Sequence, residues 1–504
     1  MAGVPKDWVA ALVDIDDAKL VTVELDPDTT SRAVLLTIAT AVRTERPRWF
    51  AQGEDVVFIP ADADPRPMSA AALPGVLSDY VDVVKPARKG PGVHTLLPRD
   101  WATAWLSSRS VRATLPGLVS FTRSPVYAKG WRWIGRPGYD ERSGIYYRGE
   151  PCQPCEGTAR LDQALSRVQW KDPVVDRANF VGALLTALTM PMWGDGHPMV
   201  GFNGNKPGVG KSTLATILTM VAEGGRSRTL SYTRDEDEFE KRIGSALDRG
   251  DRVVVIDNAK QREGSKGPGG VDSPCLERLI TDARLSVRRL GGNTFIERPQ
   301  NDVIFALTMN VSMLSKDLQR RTLPVNLYLD GEPHEVDWLI DGRSIEDYLD
   351  EHRMGIVSEL AGMVARWVEA GRPMGRAQHS TSLTWAATMD GILTLAGMPG
   401  FLSNFADSSH AFDSDYSVML ELANEFPGLN PGLRPSEWLA HPTARRLLAG
   451  VVEGKGPRAA STAVGGLLKR FCGAKFDLEE QVVTLTREEH RGRVRYRFER
   501  VEDG

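Results

Sequence analysis

The densest run of chemically competent residues is GNKPGVGKST at 204–213. It follows a short apolar stretch, Pro198–Phe202, and enters a helical pattern that continues to Ala222. A glycine turn between strand and helix aims backbone N–H groups, at the positive end of the helix dipole, toward a phosphate. In such a loop Asn205, Gly208, Val209, Gly210, Lys211, Ser212 and Thr213 wrap the phosphates of ATP. Lys211 reaches the β- and γ-phosphates, and the Ser212 hydroxyl ligates Mg²⁺. The strict spacing G-x-x-x-x-G-K-[ST] would put its first glycine where this chain has Asn205, with Gly204 one place early. Asparagine tolerates left-handed backbone better than most residues, so the loop is still expected to form.

RVVVIDNAK at 252–260 supplies the second part, with Val253, Val254, Val255 and Ile256 leading to Asp257. A buried strand ending in a carboxylate suits the magnesium shell, so Asp257 joins Ser212 as a metal contact. Many such ATPases carry a glutamate next, to orient the attacking water; here that place is Asn258. Either the base comes from elsewhere or Asn258 only positions the water. Glu238, in the acidic run DEDEFEK at 235–241, is the candidate base, against the alternative of a solvated helix face.

These groups need a scaffold. Arg228–Tyr232, Arg252–Ile256 and Val303–Thr308 read as strands separated by helical segments, which implies a parallel α/β sheet. Arg177–Met192 reads as an apolar helix, and helices between 344 and 424 as a smaller α-helical appendage. Leu285–Leu290 and Thr294–Arg298, joined by Gly291-Gly292-Asn293, read as a hairpin whose first strand carries Arg288 and Arg289. Asn310 ends a strand beside the Asp257 strand, where a polar side chain meets the γ-phosphate or its water. Arg320 and Arg321 lie between a helix and a strand, placed to point out of the subunit.

Together these motifs resemble the AAA+ core of helicase superfamily 3, and more closely the helicase portion of phage and plasmid primase–helicases. The resemblance runs from about residue 28 onward and is strongest from PGYDERSG at 137–144 to the RRT at 320–322. It implies an ATP-dependent DNA helicase or replication-initiation ATPase of a phage or mobile element, acting as a hexameric ring with ATP between subunits. Asn310 matches the sensor position, and Arg320 or Arg321 the arginine finger that reaches a neighbour's γ-phosphate. The 285–298 hairpin matches the one lining the central channel. Its arginines either contact single-stranded DNA there or are exposed strand charges that touch nothing. A separate primase is a possible partner. The alternative function is a nucleotide switch or loader that recruits another replication or defence protein without unwinding DNA.

In the tail, Pro435–Leu448 and Ser461–Phe476 read as helices, and 481–486 and 493–501 as strands: the parts of a winged helix. Lys469, Arg470 and Lys475 with Arg493, Arg495 and Arg497 form a local positive surface, read as a duplex DNA contact or, alternatively, a protein-docking module.

Length and composition bound these readings. The chain of 504 residues suggests about three domains, with 41% hydrophobic and 25% charged residues and a net charge of −4. The motifs divide it into an accessory region (1–155), an ATPase core (156–335), a helical lid (336–428) and a winged tail (429–504). Four cysteines exclude a disulfide framework, no apolar run is long enough for a membrane span, and the N-terminus lacks a signal-peptide pattern, so a cytoplasmic location is expected. Cys152 and Cys155 have zinc-ligand spacing but no second pair to complete a site. Asp14, Asp16, Asp62, Asp64 and His94 faintly resemble the carboxylates and histidine of a primase, in a region short for that domain.

Overall fold

The computed structural model describes residues 20–25, 31–44, 47–87, 90–194, 196–226, 228–257, 270–288, 295–310, 313–405, 414–429, 431–452, 454–478, 481–490 and 493–500. Its centre is a five-stranded, all-parallel sheet. The strands run in the order Thr229–Ser231, Val253–Asp257, Ile304–Asn310, Met199–Gly204 and Thr322–Leu327. The expected parallel α/β architecture is therefore present, and the strand beginning at Ile304 ends at Asn310, as read from the sequence.

The near-continuous apolar character of these strands follows from burial on both faces. Val200, Phe202, Val253, Val255, Ala306 and Val325 point to one side, and Met199, Val254, Ile256, Phe305, Leu307 and Met309 to the other. The first face is covered by the helices Val175–Thr189, Lys211–Glu223, Ile345–Glu369 and Leu383–Leu395, which form one core with it. The second packs under Glu236–Asp248, Pro274–Thr281 and the hairpin Leu285–Arg288/Phe295–Arg298. The long helix Ile345–Glu369 is locked to the phosphate-loop helix where that helix ends. Gly224 caps it at φ 73°, and the Arg353 guanidinium lies where a Cβ would otherwise point, its Nε donating to the Met220 carbonyl at 2.6 Å.

Residues 20–115 carry their own core around Trp49, Trp105, Ile38 and Leu73. The segment after it meets the five-stranded sheet through buried polar groups. Ser120 Oγ donates to Asp302 at 2.5 Å, and Arg252 Nη1 donates to Thr122 Oγ1 at 2.6 Å. Of the residues weighed as primase-like, Asp64 pairs with Arg123, and His94 with Asp82 at 2.8 Å. Asp14 and Asp16 lie outside the described residues.

The tail departs from the sequence reading in detail. The helix expected over Pro435–Leu448 divides into Pro435–Ala440 and Pro442–Leu447, because His441 precedes a proline and is extended (φ −76°, ψ 124°). The helix expected to reach Phe476 spans Pro457–Arg470. Gly473 then turns the chain at φ 86°, and Lys475–Leu478 becomes the first strand of an antiparallel sheet with Gln481–His490 and Arg493–Arg500. Among the described residues no helix is long and apolar enough to cross a membrane.

Candidate nucleotide site

The Met199–Gly204 strand delivers the chain to the phosphate loop at the C-terminal edge of the sheet, where ligands of open α/β sheets bind. Gly208 and Gly210 adopt φ values of 81° and 105°, which a side chain would disfavour, and the helix starts at Lys211. The first N–H groups of that helix have no partner within it, which leaves them for an anion. Gly204 is small for a second reason: a Cβ there would lie 2.4 Å from Val209 and 3.1 Å from Lys211 Nζ.

Asn205 occupies the place of the missing glycine with a specific function. Its Nδ2 donates to the Leu329 carbonyl at 2.9 Å, and its Oδ1 accepts the Leu329 N–H at 3.1 Å. Lys206 Nζ adds a bond to the Gly331 carbonyl at 2.8 Å. The loop is thus tied to the segment leaving the Thr322–Leu327 strand.

Lys211 is 8% exposed, and its ammonium donates to the Lys206 carbonyl at 3.1 Å. Burial pushes its pKa down, and the Asp257 carboxylate pulls it part of the way back. Asp257 ends its strand opposite the Thr308 region of the neighbouring strand, and the buried Thr308 hydroxyl donates to Asp257 Oδ1. Thr308 lies in a stretch read only as a strand; its place two residues before Asn310 carried no signal of its own. Ser212 is exposed at the helix start and Thr213 half-buried. A triphosphate–magnesium complex fits these groups: an ammonium and helix N–H groups for phosphate, and one hydroxyl and one carboxylate for an ion that keeps several waters.

The backbone of Asn310 is in register with Gly204, beside the phosphate loop. Asn258, Arg289 and the Asn310 side chain lie outside the described residues. The Glu238 carboxylate pairs with Arg242 at 3.1 Å on the exposed face of its helix, the solvated alternative considered above. Arg320 and Arg321 differ in setting. The Arg320 side chain is 59% exposed and pairs with Asp317, whereas Arg321 is 21% exposed and donates to the Asp317 carbonyl at 3.1 Å.

In the hairpin, Leu285 and Val287 are buried while Arg288 is exposed at its outer end. Its strand packs on Gly244, where a Cβ would meet the Arg288 carbonyl at 2.9 Å. In the tail, Lys469 and Arg493 are exposed. Arg495 and Arg497 are not displayed on an open basic face: Arg495 donates to the Gly432 carbonyl at 3.1 Å beside Glu437, and Arg497 pairs with Glu488 at 2.7 Å and with Glu499. Cross-strand carboxylates take up charge that strand alternation alone assigned to a ligand. All four cysteines are free thiols, and burial raises that of Cys152 to about 11. Among the described residues no group of three or more His, Cys, Asp or Glu side chains is arranged to hold a metal ion.

No family model matches this chain, and no curated protein does. Among solved structures, it is similar to an apo form of the C-terminal region of NrS-1, with a TM-score of 0.36 and 12% identity over 93% of this chain and 98% of that one. The SCCmec type IV Cch protein, an active helicase, gives a TM-score of 0.34 and 10% identity over 90% and 93% of the two chains. The JCV helicase bound to a small acetamide compound gives 0.24 and 15% over 51% and 69%. Likeness at this level is loose, and the function is argued from the residues of this chain.

Proposed function

We propose that this chain is an ATP-driven DNA helicase or replication-initiation ATPase of a phage or mobile element, working as a ring of six subunits, as its resemblance to superfamily 3 implies. The observation that carries the ATPase reading is the convergence of Lys211 and the Thr308-bonded Asp257 at the C-terminal edge of a parallel sheet. Lys211 and the helix N–H groups hold the phosphates, while Ser212 and Asp257 hold Mg²⁺ with its waters. The ion supplies charge neutralisation at the transferring phosphoryl group. Asn310 senses the γ-phosphate. The greater exposure of Arg320 favours it over Arg321 as the finger offered to a neighbour.

In this reading residues 156–335 form the ATPase core, 336–428 its lid, 1–155 an accessory domain and 429–504 a winged-helix DNA-binding domain. Single-stranded DNA runs past Arg288 and Arg289, and duplex DNA meets Lys469 and Arg493. The alternative, a switch or loader without unwinding, rests on Asn258, which stands where a glutamate would orient water.

A strand-displacement assay on forked DNA, with wild type and Lys211→Ala, separates the two. Unwinding that requires ATP and vanishes in the variant is the expected result. ATP-dependent DNA binding with negligible unwinding would leave the switch as the better reading.

A further inference from the structure

Next to the phosphate loop, a cavity of about 220 Å³ opens between residues 164–168 and 338–346. It shares Gly210, Thr213 and Trp338 with a recess of similar volume over the loop itself, so the two adjoin. Trp338 stands at the junction. A Cβ built on Gly210 would lie 3.2 Å from its ring, which sets the indole directly beside the loop.

The ring is held, not loose. Trp338 Nε1 donates to the Pro333 carbonyl at 3.1 Å, and the segment before it is anchored by the Asn205–Leu329 and Lys206–Gly331 bonds. Its one polar group is therefore already used, and it offers only its faces. The opposite walls are apolar, from Ala164, Val168, Ile340 and Ile345. Of the polar groups around them, Ser344, Arg167 and the Ile340 backbone are engaged elsewhere, while Thr213 and Glu346 also line the cavity. Ser344 Oγ donates to Asp347 at 2.7 Å and caps the following helix, Arg167 Nε donates to the Leu339 carbonyl at 3.2 Å, and the Ile340 backbone pairs with Arg343 at 2.9 and 3.0 Å.

Such a wall suits a planar heterocycle and reads its ring face rather than its edge. We propose that Trp338 is the nucleobase-binding residue of this site, holding the base of a nucleoside triphosphate by stacking. The proposal rests on the ATPase reading above and adds the residue that holds the base.

The test measures equilibrium binding of ATP, GTP and inorganic tripolyphosphate to the full chain, in wild type, Trp338→Phe, Trp338→Ala and Lys211→Ala. Wild type should bind ATP and GTP more tightly than tripolyphosphate, by the contribution of the stacked base. Trp338→Ala should weaken both by about ten- to a hundredfold, the usual range for a lost base–aromatic stack. Trp338→Phe should retain most of the affinity, and neither change should alter tripolyphosphate binding. Unchanged nucleotide affinity in Trp338→Ala would overturn the proposal. So would a parallel loss of tripolyphosphate binding, which marks damage to the loop. Binding of all three probes that ignores Lys211→Ala would instead remove the ATPase reading, a separate outcome.

Discussion

Asn205 grips the backbone of Leu329 with both ends of its carboxamide, at 2.9 and 3.1 Å, across 124 residues of sequence. The residue that breaks the strict phosphate-loop spacing is therefore the one that fastens the loop to the neighbouring edge of the sheet. Restoring the glycine should harm the site. Asn205→Gly forfeits two bonds worth about 1 kcal/mol each and adds backbone freedom, so ATP affinity should fall about tenfold by calorimetry. Equal or tighter binding by the variant would show that the bond pair does not organise the loop.

In the proposed site Thr308 would act on the metal through Asp257, as a positioning residue. Thr308→Val preserves shape and removes the hydroxyl that orients the carboxylate. The Mg²⁺ concentration for half-maximal ATP hydrolysis should rise about tenfold, in the range found for outer-shell partners of metal ligands. Thr308→Ser should restore it. A fall in kcat with unchanged Mg²⁺ dependence would argue for a merely structural hydroxyl.

A ring with shared sites makes Arg320 and Lys211 complementary in trans. Arg320→Ala should bind ATP normally and lose hydrolysis by about a thousandfold, the lower range for an arginine finger. Mixing it with Lys211→Ala should recover part of the activity, because some hybrid interfaces pair an intact loop with an intact finger. No recovery at any mixing ratio would place the finger elsewhere. The more enclosed Arg321 should chiefly affect stability, read from thermal unfolding.

The tail arginines divide by partner. Lys469→Ala and Arg493→Ala should each lower duplex affinity across sequences and reduce the salt slope by about one. Arg495→Ala removes contacts to Gly432 and Glu437, so it should lower tail stability while leaving the salt slope nearly unchanged. A slope reduced equally by all three would return Arg495 to the DNA contact.

His379 is fully buried against Phe405 and Trp385, and burial pushes its pKa down to about 4. Above the ordinary value near 6.5 the residue is neutral in both folded and unfolded chains and adds no pH dependence. As pH falls below that value the unfolded chain takes the proton first. Stability is therefore lost progressively down to about pH 4, by at most about 3 kcal/mol. His379→Phe should flatten this part of the stability curve, compared as urea midpoints between pH 7 and pH 5. Parallel wild-type and variant curves would exclude His379 as a source of the acid sensitivity.

Much of the site was legible because it is local. The strand–loop–helix of 199–223 and the run ending in Asp257 are short patterns whose spacing states their chemistry, and the strand alternation predicted the sheet. The tail hairpin was legible in the same way, but its charge was not. Strand alternation tells which side chains share a face, as Arg497 and Glu499 do, whereas Glu437 beside Arg495 comes from a helix and Glu488 beside Arg497 from the neighbouring strand.

By itself, the sequence determined the glycine turn between strand and helix, the lysine that starts that helix, and the carboxylate at the end of the Asp257 strand. Only the tertiary structure decided what Asn205 does, that Thr308 orients Asp257, and that Trp338 borders the cleft. These contacts join residues separated by 124, 51 and 128 positions in the chain (Asn205–Leu329, Asp257–Thr308 and Gly210–Trp338). No period or spacing encodes such pairs; they exist because strand order and register bring distant segments to the same edge of the sheet.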